Sequence, residues 1–127
     1  MNFELSEQQE MLRAVTREFA EGEIAPIAHQ IYATETIPDS LRAKLRENNY
    51  FALQIPEAYG GVDCDMVSYV VVIEELSRAS AAVAITVSVH NSVAAGPINR
   101  FGTDEQKSRW LPRLATEALG AFALTEP

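Results

Sequence analysis

Between Ser80 and Ala95 the chain is apolar on nearly every side. Alanine, valine and isoleucine occupy most positions, with no polar face at a 3.6-residue period. Such a helix cannot lie on a wet surface and has to be surrounded. Its most apolar part, Ala79 to Val89, is shorter than the ~18–20 residues that span a bilayer. The cover must therefore come from the rest of the chain. This predicts a bundle with 80–95 as its buried central helix, stopped by Gly96-Pro97. The small residues Ala81, Ala82, Ala84, Ala94 and Ala95 leave two readings open: a tight helix–helix contact, or a groove for an apolar ligand.

The flanking sequence supplies the covering helices. Ser6-Glu7-Gln8-Gln9 has the form of a capping box, with Gln three residues after a Ser cap. It opens a helix expected over 6–32. Leu12, Val15 and Phe19, then Ile24, Ile27 and Ile31, recur at helical spacing. Pro26 is expected to kink this helix near Gly22, because proline removes a backbone donor. Ile37-Pro38-Asp39-Ser40 starts a short helix over 39–48 with Leu41 and Leu45 inward. Pro56 and Gly60-Gly61 make 50–61 an ordered, packed loop. The run Val70 to Ile73 favours a strand locally, but the spacing of Val67, Val70, Ile73 and Leu76 predicts a helix over 65–79 with Asp65 as cap. Thr103-Asp104-Glu105-Gln106 is a second capping box. It opens a helix with Trp110, Leu111 and Leu114 inward, which Pro112 is expected to divide.

The fold class is therefore all-α, a bundle of about six helices, with one exception. After Gly120 the short run Ala121-Phe122-Ala123-Leu124 reads as a buried strand. No other strand is expected to pair with it, and a lone strand leaves its backbone groups unsatisfied. The expected division is a helical domain over 1–119 and the first strand of a further β-domain over 120–127. That implies a longer polypeptide or a complementary chain.

Charge narrows the function classes. Eighteen acidic against ten basic residues leave a net charge of -8, without the basic face that nucleic acid requires. The first residues lack a basic n-region and apolar run, so a soluble, cytoplasmic-type protein is expected; a processed mitochondrial matrix protein would look the same. A single cysteine, Cys64, excludes an internal disulfide and fits a reducing compartment.

The candidate chemical groups do not assemble into a catalytic set. Glu74-Glu75 are adjacent on a helix and diverge by about 100°. A structural role is expected, such as a bridge from Glu74 to Arg78 at i,i+4. His29 and His90 lie in different helices, so neither a paired-His metal site nor any other metal site is expected. Cys64 sits between Asp63 and Asp65, whose charges disfavour a reactive thiolate.

Seven motifs, taken in order, resemble the amino-terminal domain of the flavin-dependent acyl-CoA dehydrogenases across essentially the whole chain. They are Leu5-Ser6-Glu7-Gln8-Gln9, Glu23-Ile24-Ala25-Pro26, Ile55-Pro56-Glu57-Ala58-Tyr59-Gly60-Gly61, Ile73-Glu74-Glu75-Leu76-Ser77-Arg78, His90-Asn91-Ser92 with Gly96-Pro97-Ile98, Phe101-Gly102-Thr103-Asp104-Glu105-Gln106-Lys107, and Phe122-Ala123-Leu124-Thr125-Glu126-Pro127. The resemblance implies a three-part enzyme: this helical domain, a middle β-domain and a carboxy-terminal bundle. FAD lies between the last two. A glutamate of the carboxy-terminal bundle removes the α-proton of an acyl-CoA while hydride leaves the β-carbon for flavin N5, giving a trans-2-enoyl-CoA. Electrons pass to electron-transfer flavoprotein, and members are dimers or tetramers.

By the same resemblance no residue of this chain is the catalytic base; Glu126 matches a motif glutamate that is not the base. Phe122, Leu124 and Thr125 match positions near the isoalloxazine ring, with Thr125 offering a hydroxyl and an N–H. Ile85, Thr86, Val89 and Val93 fall on the helix that lines the acyl pocket. The motif's usual continuation, Ala/Gly-Gly-Ser-Asp, does not follow Pro127, so the flavin site in this sequence is incomplete. Ser88 to Ser92 looks most like short-chain members. Asp63 stands where many relatives have glycine. The alternative is a standalone, non-catalytic helical interaction module derived from the same family.

Overall fold

The computed structural model describes residues 4–125; Glu126 and Pro127, the end of the expected strand, lie outside the described residues. Seven α-helical segments are arranged in five unbroken rods. The first rod joins α1 (Glu7–Phe19), a π turn (Ala20–Ile24), a 3-10 turn (Ala25–Ile27) and α2 (Ala28–Thr34). The second is α3 (Asp39–Glu47) and the third α4 (Met66–Ala79). The fourth joins α5 (Ala81–Val89), a second π turn (His90–Ala95) and α6 (Gly96–Phe101); the fifth is α7 (Asp104–Thr116).

The expected caps form. Ser6 Oγ accepts the Gln9 N–H at 3.2 Å while the Ser6 N–H donates to Gln9 Oε1 at 3.0 Å. Thr103 and Gln106 repeat this at 3.2 and 2.9 Å. Asp65 Oδ1 accepts from the N–H groups of Val67 and Ser68. Each cap satisfies donors that a helix start leaves open.

Pro26 distorts the first rod around Gly22, in a π turn at 20–24 and a 3-10 turn at 25–27, without ending it. Gly96-Pro97, against expectation, does not stop the fourth rod. In both, the turn before the proline widens. The Ala25 N–H reaches back five residues to the Ala20 carbonyl, and the Gly96 N–H reaches the Asn91 carbonyl. A proline ring would collide with the carbonyl four residues behind it, here Gly22 and Val93. The π turn re-aims that carbonyl and lets the rod continue. Pro112 likewise does not divide α7, which runs through it.

The fourth rod is consequently longer than expected. Ala81–Phe101 has 21 residues and contains a stretch with a mean hydropathy of 1.3, long and apolar enough to cross a membrane by those measures. Here it packs against α4 and α7, with the polar side chains of His90 and Asn91 fully buried midway. It is not enclosed all round either: Val83, Ala84 and Val87 are buried, while Ala81, Ala82 and Ile85 face outward.

The main core joins Ile24, Ile31, Leu41, Leu45, Phe51, Val72, Leu76, Val83 and Val87. A second cluster sets Leu111, Leu114 and Ala115 of α7 against Ala52, Ile55 and Ala95. The 50–61 loop is a packed part of the core: Tyr50, Phe51, Ala52, Leu53 and Ile55 are all buried.

Three inward faces differ from expectation by one step. On α1, Leu12 and Phe19 pack inward with Thr16, while Val15 is exposed. On α4 the buried set is Ser68, Tyr69, Val71, Val72, Glu75 and Leu76, and Val67 and Val70 are exposed. On α7, Leu111 and Leu114 are buried but Trp110 sits at the rim, with the Arg109 and Arg113 guanidinium groups over its ring. Apolar spacing alone did not separate neighbouring rows on these helices.

The expected terminal strand does not form among the described residues: 118–125 have no regular structure, and 121–125 are exposed. No strand lies beside them to take their backbone bonds.

Candidate functional site

The four residues expected to line a pocket, Ile85, Thr86, Val89 and Val93, lie on the fourth rod. Ile85 and Thr86 come together in a groove of about 450 Å³. Its other wall comes from the end of α2 and the turn after it: Ile31, Tyr32, Glu35, Thr36 and Ile37. Glu35 adopts a left-handed backbone (φ 51°) that ends α2. Ile85 is 65% exposed despite its size. The Thr86 hydroxyl donates to the Ala82 carbonyl at 2.9 Å, so its oxygen faces the groove only as an acceptor. Val89 and Val93 lie further along the rod, half-buried, outside this groove's lining. The structure thus unites two of the four expected pocket residues and sets the others beyond them. Sequence reading missed Tyr32 and Glu35 to Ile37; the Thr36-Ile37-Pro38 stop signal was the clue that the chain turns back there.

The expected flavin edge is open. Phe122 and Leu124 are 52% and 78% exposed, and Thr125 is exposed too. Two apolar side chains beside two donors suit one edge of a flavin ring. They offer nothing for its phosphates.

Buried polar groups hold the rod behind the groove. Asn91 Nδ2 donates to the carbonyls of Tyr50 and Val87, both at 2.9 Å, and its Oδ1 accepts the Gln54 N–H at 3.2 Å. This stitches the 50–61 loop to the fourth rod. His90 Nδ1 accepts the Gly120 N–H at 2.9 Å. Burial pushes its pKa below the ordinary 6.5, and the Arg46 guanidinium adds to this against the opposing Phe51 and Leu114 carbonyls.

On the far side of α4, Glu75 is 3% exposed and ion-paired. The expected Glu74–Arg78 bridge is replaced: Arg78 lies 3.7 Å from Glu75, which is bound more closely by Arg17. Glu75 is the inward member of the pair because it shares a face with Val72 and Leu76. Cys64 has its pKa pushed up to about 11, first by burial and then by Asp65 and Asp63. The aspartates act as expected, but burial is the larger cause.

Known proteins resemble this chain over nearly its full length. Residues 6–118 match the family model for the acyl-CoA dehydrogenase N-terminal domain. An acyl-CoA dehydrogenase of Bacillus subtilis is 45% identical over 97% of this chain and 33% of its own length. The mitochondrial short-chain specific acyl-CoA dehydrogenase of Bos taurus is 40% identical over 98% of this chain and 30% of its own. The crystal structure of a Bacillus anthracis acyl-CoA dehydrogenase complexed with FAD superposes with a TM-score of 0.87 at 35% identity, over 98% of this chain and 21% of that one. The chain spans about a third of the length of the curated relatives it matches. A matching helical fold, capping boxes and family model together place this chain in the acyl-CoA dehydrogenase N-terminal domain family.

Proposed function

We infer that this chain forms one wall of the acyl pocket and the first edge of the FAD site in an acyl-CoA dehydrogenase. The observation that carries the reading is the groove at Ile85 and Thr86, where a largely apolar wall on the outward side of the fourth rod is left open. Phe122, Leu124 and Thr125 would hold the ring edge. When bound, the flavin supplies hydride acceptance from the acyl β-carbon. The chain's own residues bind and orient: Ile85, Val89 and Val93 exclude water along the acyl chain, and Thr125 donates towards the ring. The catalytic base, the second face of the flavin and the CoA contacts come from the remaining domains or a complementary chain, so the 127 residues alone are inactive. Electron-transfer flavoprotein is the expected acceptor, a homo-oligomer the expected assembly, and the cytoplasm or mitochondrial matrix the expected location.

The test is acyl-CoA turnover by the polypeptide that carries this chain, with and without Ile85→Phe. Filling the groove is expected to cut kcat/KM for longer acyl chains by about 10-fold or more relative to shorter ones, within the range of one methylene in an apolar pocket. Equal effects at all chain lengths would remove Ile85 from the pocket. Absence of any acyl-CoA oxidation by the wild type would reject the enzyme reading in favour of a binding module.

A further inference from the structure

His90 occupies a position that pocket lining does not explain. It lies in the π turn of the fourth rod, with its ring fully buried and edge-on to Phe51 at 5.1 Å. Its Nδ1 accepts the Gly120 N–H at 2.9 Å. An imidazole nitrogen can accept only when it carries no proton. The neutral ring therefore holds its proton on Nε2, which has no partner in hydrogen-bonding geometry.

Gly120 is independently pressed onto the same rod. A Cβ there would lie 2.5 Å from Ala94 Cβ and 3.2 Å from Leu114 Cδ2. Only glycine lets the backbone come this close. Beyond it, 121–125 are exposed and irregular. The Gly120 contact is the point from which Phe122, Leu124 and Thr125 take their direction.

We propose that His90 is a positioning residue. In its neutral form it latches Gly120 to the fourth rod and so aims residues 121–125; when protonated, it releases them. The importance of the latch for the cofactor rests on the flavin-edge reading above; the latch itself does not. Protonation sets an N–H against the Gly120 N–H, and the bond is lost. The groups packed on the ring from other elements are the Arg46 side chain of α3, the Phe51 ring and carbonyl, and the Leu114 carbonyl of α7. Arg46 is the charged one and opposes imidazolium. The latch is thus closed at neutral pH and opens on acidification.

The experiment is NMR on the isotope-labelled chain, following the His90 imidazole, the Gly120 amide protection and the backbone mobility of 121–125 from about pH 7.5 downward until the His90 ring is protonated. The expected result at neutral pH is an unprotonated His90 Nδ1, with the Gly120 amide protected by ~10-fold or more over the amides of 121–125. Protection is lost and 121–125 gain mobility as the His90 ring takes up its proton. His90→Asn places an acceptor oxygen near Nδ1 and is expected to keep protection at both pH values. His90→Leu is expected to lose it at both. A proton on Nδ1 at neutral pH, or Gly120 protection unchanged by His90 titration, would overturn the proposal. Both are read on the wild type, whether or not the leucine variant folds. FAD retention is measured separately: a working latch without flavin retention would count against the flavin-edge reading alone.

Discussion

Arg17 and Glu75 meet across the α1–α4 contact through two near-parallel hydrogen bonds. Arg17 Nε donates to Oε2 at 2.9 Å and Nη2 to Oε1 at 2.8 Å. Glu75 is almost wholly buried, so its charge depends on this fork. Arg17→Met is expected to lower Tm by several degrees, and clearly more than Arg78→Met. Arg78 is the more exposed of the two and lies 3.7 Å from the carboxylate. Thermal melts of the two variants check the order.

The same pair shapes the acid limb of stability. The Arg17 hydrogen bonds hold the Glu75 carboxyl below its ordinary 4.5, against the opposing effect of burial. A depressed folded-state pKa means that the unfolded chain binds more protons near this range, so stability falls as the pH is lowered. The contribution is complete above the ordinary value and is lost as pH falls through the folded one. Glu75→Gln is expected to flatten the stability profile between the ordinary and the folded value, measured by urea denaturation at a series of pH values.

Asn91 bonds to Tyr50, Gln54 and Val87 from a fully buried position. Asn91→Leu keeps the volume but strands the Tyr50 carbonyl and Gln54 N–H. A loss of about 2–4 kcal/mol is expected from such unpaired groups. Asn91→Asp keeps the acceptor and loses both donations, so it is expected to destabilise too, and more as the carboxyl ionises. Denaturant midpoints at neutral and acidic pH test this.

The glycine pair separates two kinds of constraint. Gly60 is left-handed at φ 84°, with open space where a Cβ would point. Gly60→Ala is expected to cost about 1 kcal/mol. At Gly61 a Cβ would fall 1.8 Å from the Ile55 carbonyl oxygen, which already accepts the Asp63 N–H at 3.0 Å. Gly61→Ala is expected to cost roughly 2–4 kcal/mol, because backbone must move. Equal losses for the two variants would contradict this packing.

Cys64, with its pKa pushed up to about 11, holds about a thousandth of its thiol as thiolate at pH 8, against about a quarter for a free cysteine. Iodoacetamide alkylation at that pH is expected to run about two orders of magnitude slower than on an unstructured peptide. Alkylation after unfolding in urea supplies the reference.

Local chemistry was enough to read the all-α class, the capping boxes at Ser6 and Thr103, the Asp65 cap and the packed 50–61 loop, since each depends on residues within a few positions. Leu41, Leu45, Ile24 and Ile31 were also legible as core, because clean 3- and 4-residue spacing marks a single helix face. What tertiary structure alone decided was phase and partnership. The π turns at 20–24 and 90–95 each add a residue to a helical turn, which rotates everything after it and carries the rods through Pro26 and Pro97. Val15, Val67, Val70 and Trp110 are as apolar as their buried neighbours, and only the placement of the facing helix put them outside. Glu75 rather than Glu74 became the ion-paired carboxylate for the same reason. The groove needed Tyr32 and Ile37 to come alongside Ile85, and the His90–Gly120 bond joins residues 30 apart; no local pattern encodes contacts that exist only once the helices have packed.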